Sequence, residues 1–235
     1  MQIINFDFWS FENVGKRYAS GREALSGASF HIEKGDMAFI TGHSGAGKST
    51  LLKLIALIER PTRGTVLVNN QNTSRISRRK IPYFRRQIGI VFQDHKLLSD
   101  RSVFDNVALP LLIGALKSRE VSRRVRAALD QVGLLKFENN SPLTLSTGEQ
   151  QRVGIARAIV SRPELVIADE PTGNLDPELS LEIMKLFERF NQVGVTLLIA
   201  THDVELIDKL QCRRLQLESG RIVESSQSSS HGDSM

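Results

Sequence analysis

The sequence predicts an α/β fold: a phosphate-loop core with a mainly parallel sheet, an antiparallel β region and an inserted helical subdomain. Three observations carry that prediction. The short apolar runs MAFITG, IGIVFQ, LVIAD and VTLLIAT read as strands buried on both faces, the pattern of parallel sheets. Helical periodicities alternate with them, as in sheets covered on both sides. One long stretch, residues 94–162, loses the strand pattern and reads as mainly helical.

The elements follow in order. Residues 1–10, MQIINFDFWS, alternate apolar and polar side chains and read as a strand or edge extension ahead of the domain. MAFITG (Met37–Gly42) is a buried strand feeding a glycine-rich loop. A helix follows, with Leu51, Leu52, Ile55 and Ile58 on its apolar face, and stops before Pro61. TVLVNN and IGIVFQ are further strands. Inside the helical stretch Val121, Val125, Leu129 and Val132 recur at helical spacing, which turns Arg119, Arg123 and Arg126 to water. Strands return as LVIAD, VTLLIAT and RLQLES, with a helix from about 179 to 191 between the first two. The tail after Glu224, SSQSSSHGDSM, has little to bury and reads as disordered. The expected organisation is thus an extension (1–10), one domain (11–224) and a tail (225–235). The domain has a core of 11–93 and 163–224 and a helical subdomain of 94–162.

Composition narrows the function classes. A chain of 235 residues, 40% hydrophobic and 24% charged, fits one large soluble domain with a small insertion. The longest apolar run, Val107–Leu116, is half the length a bilayer span needs and contains Pro110. The N-terminus has no signal-peptide pattern, and the single cysteine, Cys212, fits a reducing compartment; the reading is cytosolic. A net charge of +5 raises nucleic acid or an anionic membrane surface as partners. Its basic groups, Arg75, Arg78, Arg79, Lys80, Arg85 and Arg86, then Arg119, Arg123, Arg124 and Arg126, also suit a solvated face.

The chemistry lies in three motifs. GHSGAGKS, formed by Gly42, His43, Ser44, Gly45, Ala46, Gly47, Lys48 and Ser49, has the spacing of a phosphate loop, with Thr50 next to it. Its glycines let successive N–H groups face one anion at a helix N-terminus. Lys48 is the candidate for the β- and γ-phosphates, and the Ser49 hydroxyl for Mg2+. LVIADE ends a buried strand in two acids: Asp169 to hold the metal, Glu170 to act as general base on a water. In LSTGE, Ser146 and Glu149 form a capping-box pattern that exposes a hydroxyl, glycine N–H groups and a positive helix end.

LSTGE between a phosphate loop and LVIADE resembles the signature of the ATP-binding-cassette (ABC) ATPases, and the resemblance covers roughly residues 11–224. It implies ATP and Mg2+ as cofactors and a homodimer in which Ser146 and Gly148 contact the γ-phosphate held by the other subunit. It also implies an adenine-stacking role for Tyr18, a magnesium-side role for Gln93, a dimer-crossing role for Asp176 in GNLD, and a γ-phosphate contact for His202. The chain departs from the common LSGGQ by Glu149 and Thr147. The Cβ of Thr147 crowds the phosphate side, which predicts a slower ATPase.

GNLD and EQQRVGIARA are similar to the branch of cell-division, lipoprotein-releasing and macrolide-export ATPases. His43, the FRRQIG run and FQDHKLL look more like the cell-division members. That likeness implies an integral membrane partner resembling FtsX at the cytoplasmic face of the inner membrane, cell-wall hydrolases as the regulated output, and no specific nucleic acid. A lipoprotein-releasing or macrolide-export ATPase, a nucleic-acid-associated ABC protein and a scaffold with negligible turnover stay open.

Overall fold

The structure is a computed structural model and describes residues 8–210 and 212–225. The chain opens with β1 (Phe8–Arg17), β2 (Glu23–Glu33) and β3 (Met37–Thr41), followed by α1 (Lys48–Ile55). Next come β4 (Arg63–Val68), β5 (Gln71–Asn72), α2 (Ile81–Arg85) and β6 (Ile88–Val91). A helical stretch holds α3 (Val103–Ile113), α4 (Ser118–Gln131) and α5 (Thr147–Ile159). The chain then runs through β7 (Leu165–Asp169), α6 (Pro177–Gln192), β8 (Thr196–Ala200), α7 (Val204–Leu210), β9 (Arg213–Glu218) and β10 (Arg221–Ser225).

Two sheets result. One has the order β10-β9-β3-β8-β7-β6, with every pair parallel except the β9–β10 hairpin. The other is antiparallel, in the order β2-β1-β4-β5. Each central parallel strand is apolar on both faces: Ala38, Phe39 and Ile40 are fully buried, as are Leu198 and Ile199. One apolar cluster fills the space between the sheets and gathers Trp9, Phe11, Leu25, Ile40, Leu51, Leu54 and Val66. The other lies between the parallel sheet and the helices and includes Val107, Leu129, Val153, Ile155, Met184 and Phe187.

Residues 94–162 carry α3, α4 and α5. Val121, Val125, Leu129 and Val132 are buried, while Arg119, Arg123 and Arg126 are exposed, as the helical stripe requires. The other departures from the sequence expectations have local causes. The strand β1 starts at Phe8, inside the stretch assigned to an extension, because Trp9 is 2% exposed and packs edge-on against Phe84. The first helix ends at Ile55, before Ile58, whose side chain is 50% exposed. Leu57 takes a left-handed φ of 53° there and is buried in its place. TVLV of TVLVNN joins the antiparallel sheet. Of the disordered tail expected at 225–235, Ser225 instead ends β10, where it pairs with Arg214, and 226–235 lie outside the described residues. No helix among the described residues is long and apolar enough to cross a membrane.

Candidate functional site

The glycine loop joins the C-terminal end of β3, in the middle of the parallel sheet, to the start of α1. Gly47 caps α1 with φ 114°, where a side chain is strained, and a Cβ there would stand 2.4 Å from the Ala24 carbonyl oxygen. The buried methyl of Ala46 anchors the loop from beneath. Gly42 contributes its carbonyl, which accepts a 2.7 Å bond from Lys48 Nζ.

Lys48 is also 3.3 Å from Glu170 Oε1, and both side chains are at most 12% exposed. Glu170 in turn accepts at Oε2 from the His202 backbone N–H (3.2 Å) and stands 2.8 Å from His202 Nδ1. A carboxylate only accepts, so Nδ1 is the donor in that contact. Glu170 adopts a left-handed φ of 47°, held by its N–H donating to the Ala200 carbonyl. That backbone setting is uncommon for a residue with a Cβ and costs on the order of 1 kcal/mol or more. It lets the side chain leave the line of β7 and meet Lys48 and His202.

Asp169, the last residue of β7, lies beside the Ser49 hydroxyl. Burial pushes its carboxyl above the ordinary value, an effect partly offset by the Ser49 hydroxyl. The two oxygens form a hard-cation donor set. Among the described residues no group of three or more His, Cys, Asp or Glu side chains can hold a metal alone. The pair is compatible with a cation such as Mg2+, which binds through one or two protein oxygens together with substrate phosphate oxygens.

A cavity of about 880 Å³ unites these parts, lined by Tyr18, His43, Ser44, Gly45, Gly47, Lys48, Ser49, Thr50, Gln93, Asp169, Glu170 and His202. Tyr18, far back in the sequence, reaches the loop with its hydroxyl 3.2 Å from Thr50 Oγ1. Gln93 follows β6, and its Nε2 lies 3.8 Å from where a Cβ on Gly173 would stand. Three further lining residues, Ser20, Arg22 and Lys53, carry no sequence motif. Arg22 donates to the Gly45 carbonyl at 3.1 Å from the turn between β1 and β2, and only the sheet pairing brings it there.

Ser146, Gly148 and Asp176 do not line this cavity. Ser146 caps α5 in a full capping box: its Oγ accepts from Glu149 N at 3.3 Å, and its N–H donates to Glu149 Oε2 at 2.9 Å. The Ser146 backbone N–H is the main reason the Glu149 carboxyl sits below its usual range. Gly148 lies over Leu179, and Thr147 is exposed at the first turn. Asp176 caps α6 by accepting from the N–H groups of Glu178 and Leu179, both at 3.0 Å.

A glycine loop on a parallel sheet, a lysine over it and paired acids at the neighbouring strand end define a phosphate-loop nucleoside triphosphatase. The profile of the ABC transporter family matches residues 25–173, and the chain belongs to that family as an ABC ATPase. It is similar to the cell division ATP-binding protein FtsE of Escherichia coli K12, 57% identical over 212 residues, covering 90% of this chain and 96% of the relative. The FtsE of Bacillus subtilis is 44% identical over 221 residues, covering 94% and 97%. Among solved structures, the ATP-binding cassette MJ0796, a dimer in a post-hydrolysis state with ADP and Pi, aligns with a TM-score of 0.85 at 34% identity, covering 94% of this chain and 99% of that one. The cbiO1 subunit of the Clostridium perfringens cbiONQ transporter aligns with a TM-score of 0.84 at 35% identity, covering 93% and 87%.

Proposed function

We propose that this chain hydrolyses ATP to ADP and phosphate in an FtsE-like homodimer that works on an integral membrane protein. The observation that carries the reading is the chain of contacts from Lys48 through Glu170 to His202 at the mouth of the glycine loop. In it, loop N–H groups and Lys48 bind the β- and γ-phosphates, and Tyr18 stacks on the adenine. Glu170 takes the proton of a water lined up on the γ-phosphate, and His202 keeps the carboxylate aimed. Ser49 and Asp169, on the Gln93 side, would hold Mg2+, which would supply charge neutralisation at the phosphates.

The signature residues stand away from their own chain's cavity, which supports a second copy supplying them. Two chains arranged head to tail would place Ser146, Gly148 and the Asp176 turn of one over the nucleotide of the other. The dimeric cassette structures are consistent with that assembly. The domain division we favour assigns 11–93 and 163–224 to the catalytic core and 94–162 to a helical subdomain.

The load is read from the likeness to FtsE: an FtsX-like partner at the cytoplasmic face of the inner membrane, through which ATP-driven closure activates cell-wall hydrolases. The test is capture of the Glu170→Gln chain from membranes in mild detergent with ATP, beside a Lys48→Ala control. A small integral membrane protein with an extracytoplasmic loop, retained only with ATP and absent from the control, supports the reading. A lipoprotein-releasing or export permease transfers the chain to a sister branch. Recovery of nucleic acid alone would sink the membrane assignment.

A further inference from the structure

Arg157, on the last turn of α5, is partly buried and takes no part in the chemistry above. Its guanidinium is shielded enough from water that burial alone lowers its pKa, and no carboxylate partner counters that shift. Both arms go instead to backbone: one donates to the Lys96 carbonyl at 2.7 Å, the other to the His95 carbonyl. Those two residues take left-handed φ values of 48° and 57°, an uncommon setting for side-chain-bearing residues, and only Asp94 separates them from Gln93. The same turn of α5 is pressed on the strand leading to Gln93, since a Cβ on Gly89 would stand 2.5 Å from the Ala158 carbonyl. At its other end α5 begins with the Ser146 cap.

We infer that Arg157 is a positioning residue that clamps the Gln93 segment to α5, so that Gln93 at the nucleotide cavity and the signature cap move as one piece. The fork geometry is what the role needs. A guanidinium presents two coplanar N–H groups to two adjacent carbonyls, whereas an ammonium is a point donor that cannot hold both in one plane. Holding His95 and Lys96 in their left-handed setting, two and three residues past Gln93, fixes where the Gln93 amide sits relative to Ser49 and Asp169. It also means that any pull on this segment is delivered to α5 without slack. The inference rests on the ATPase reading for its kinetic consequence and on geometry alone for the clamp.

The test is a double-mutant cycle of Arg157→Lys with Gln93→Ala, read as phosphate release, joined to amide hydrogen exchange of each variant. Arg157→Lys is expected to lower kcat several-fold while KM for ATP stays within about twofold, because the ATP contacts are untouched. In the Gln93→Ala background the same change should cost nothing more, since both variants remove one positioned amide. Exchange should quicken at residues 92–96 and stay unchanged in the loop 42–49. Multiplying losses, or exchange at 92–96 equal to that of the unaltered chain, would overturn the clamp. Absence of turnover in the unaltered chain would instead refute the ATPase reading, and the exchange result would still decide the clamp.

Discussion

Replacing Glu170 by Gln keeps the volume of the side chain and one acceptor for His202 but removes the charge facing Lys48. Two effects of opposite sign follow. A general base contributes ~10²–10⁴-fold to a proton transfer, so phosphate release should fall by about that factor. On the barrier that is roughly 3–5 kcal/mol at about 1.4 kcal/mol per decade. Ground-state energetics move the other way. At 3.3 Å the Lys48–Glu170 attraction is about 5 kcal/mol gross at an effective dielectric near 20. Much of that is spent on desolvating the pair, and Lys48 keeps its bond to the Gly42 carbonyl, which leaves ~1–2 kcal/mol net. Without nucleotide the Gln variant should therefore melt about 2–8 °C lower. ATP, no longer competing with Glu170 for the ammonium, should bind several-fold tighter and reverse the loss. The assays are phosphate release, ATP titration by calorimetry and thermal melts with and without ATP. Turnover within about threefold of the unaltered chain, or weaker ATP binding, would refute the assignment of Glu170 and the competition drawn for Lys48.

Three further outcomes are expected. Gly89→Ala forces a methyl to within 2.5 Å of the Ala158 carbonyl, so urea unfolding should show a loss of about 1–3 kcal/mol, and an unchanged midpoint would mean that α5 shifts freely on β6. Thr147→Gly removes the exposed Cβ beside the signature and should strengthen ATP-dependent dimerisation of the Glu170→Gln chain in sedimentation, whereas an equal or weaker dimer would dismiss the crowding argument. The Glu120 carboxyl is pushed down to about 2 by hydrogen bonds from Arg123 and then Arg124. A depressed acid adds stability above its unfolded value of 4.5, and that share is lost as pH falls towards 2. Carbon-detected NMR titration should find the low midpoint, and the double change Arg123→Met and Arg124→Met should return it to the ordinary carboxylate range.

The basic groups show how one composition resolves into different roles. Arg123 and Arg126 pair with Glu120 and Glu138 on a solvated helix face, as their spacing implied, and the half-buried Arg124 also pairs with Glu120. Arg85 and Arg86 look identical in sequence, yet they donate to the carbonyls of Ala56, Leu57 and Ile113 and tie α2 to its neighbours. A carbonyl acceptor leaves no trace in the sequence, because every residue offers one. The roles of Arg157 and Arg22 are silent in the sequence for that reason.

The sequence by itself determined what is settled within a few residues. The glycines of 42–47 curl the backbone, Ser146 and Glu149 satisfy each other three positions apart, and Asp169 and Glu170 end an apolar run. In each case the physics is local: a φ value, a cap, the close of a buried strand. The tertiary structure decided which of these meet. The strand β3 lies between β8 and β9, more than 150 residues onward, and strands apolar on both faces do not announce their order. That order brings Tyr18 to Thr50, sets Lys48 opposite Glu170 and His202, and keeps Ser146 and Asp176 away from the cavity of their own chain. Pairing across the fold is fixed by packing all elements at once, and no single segment holds that information.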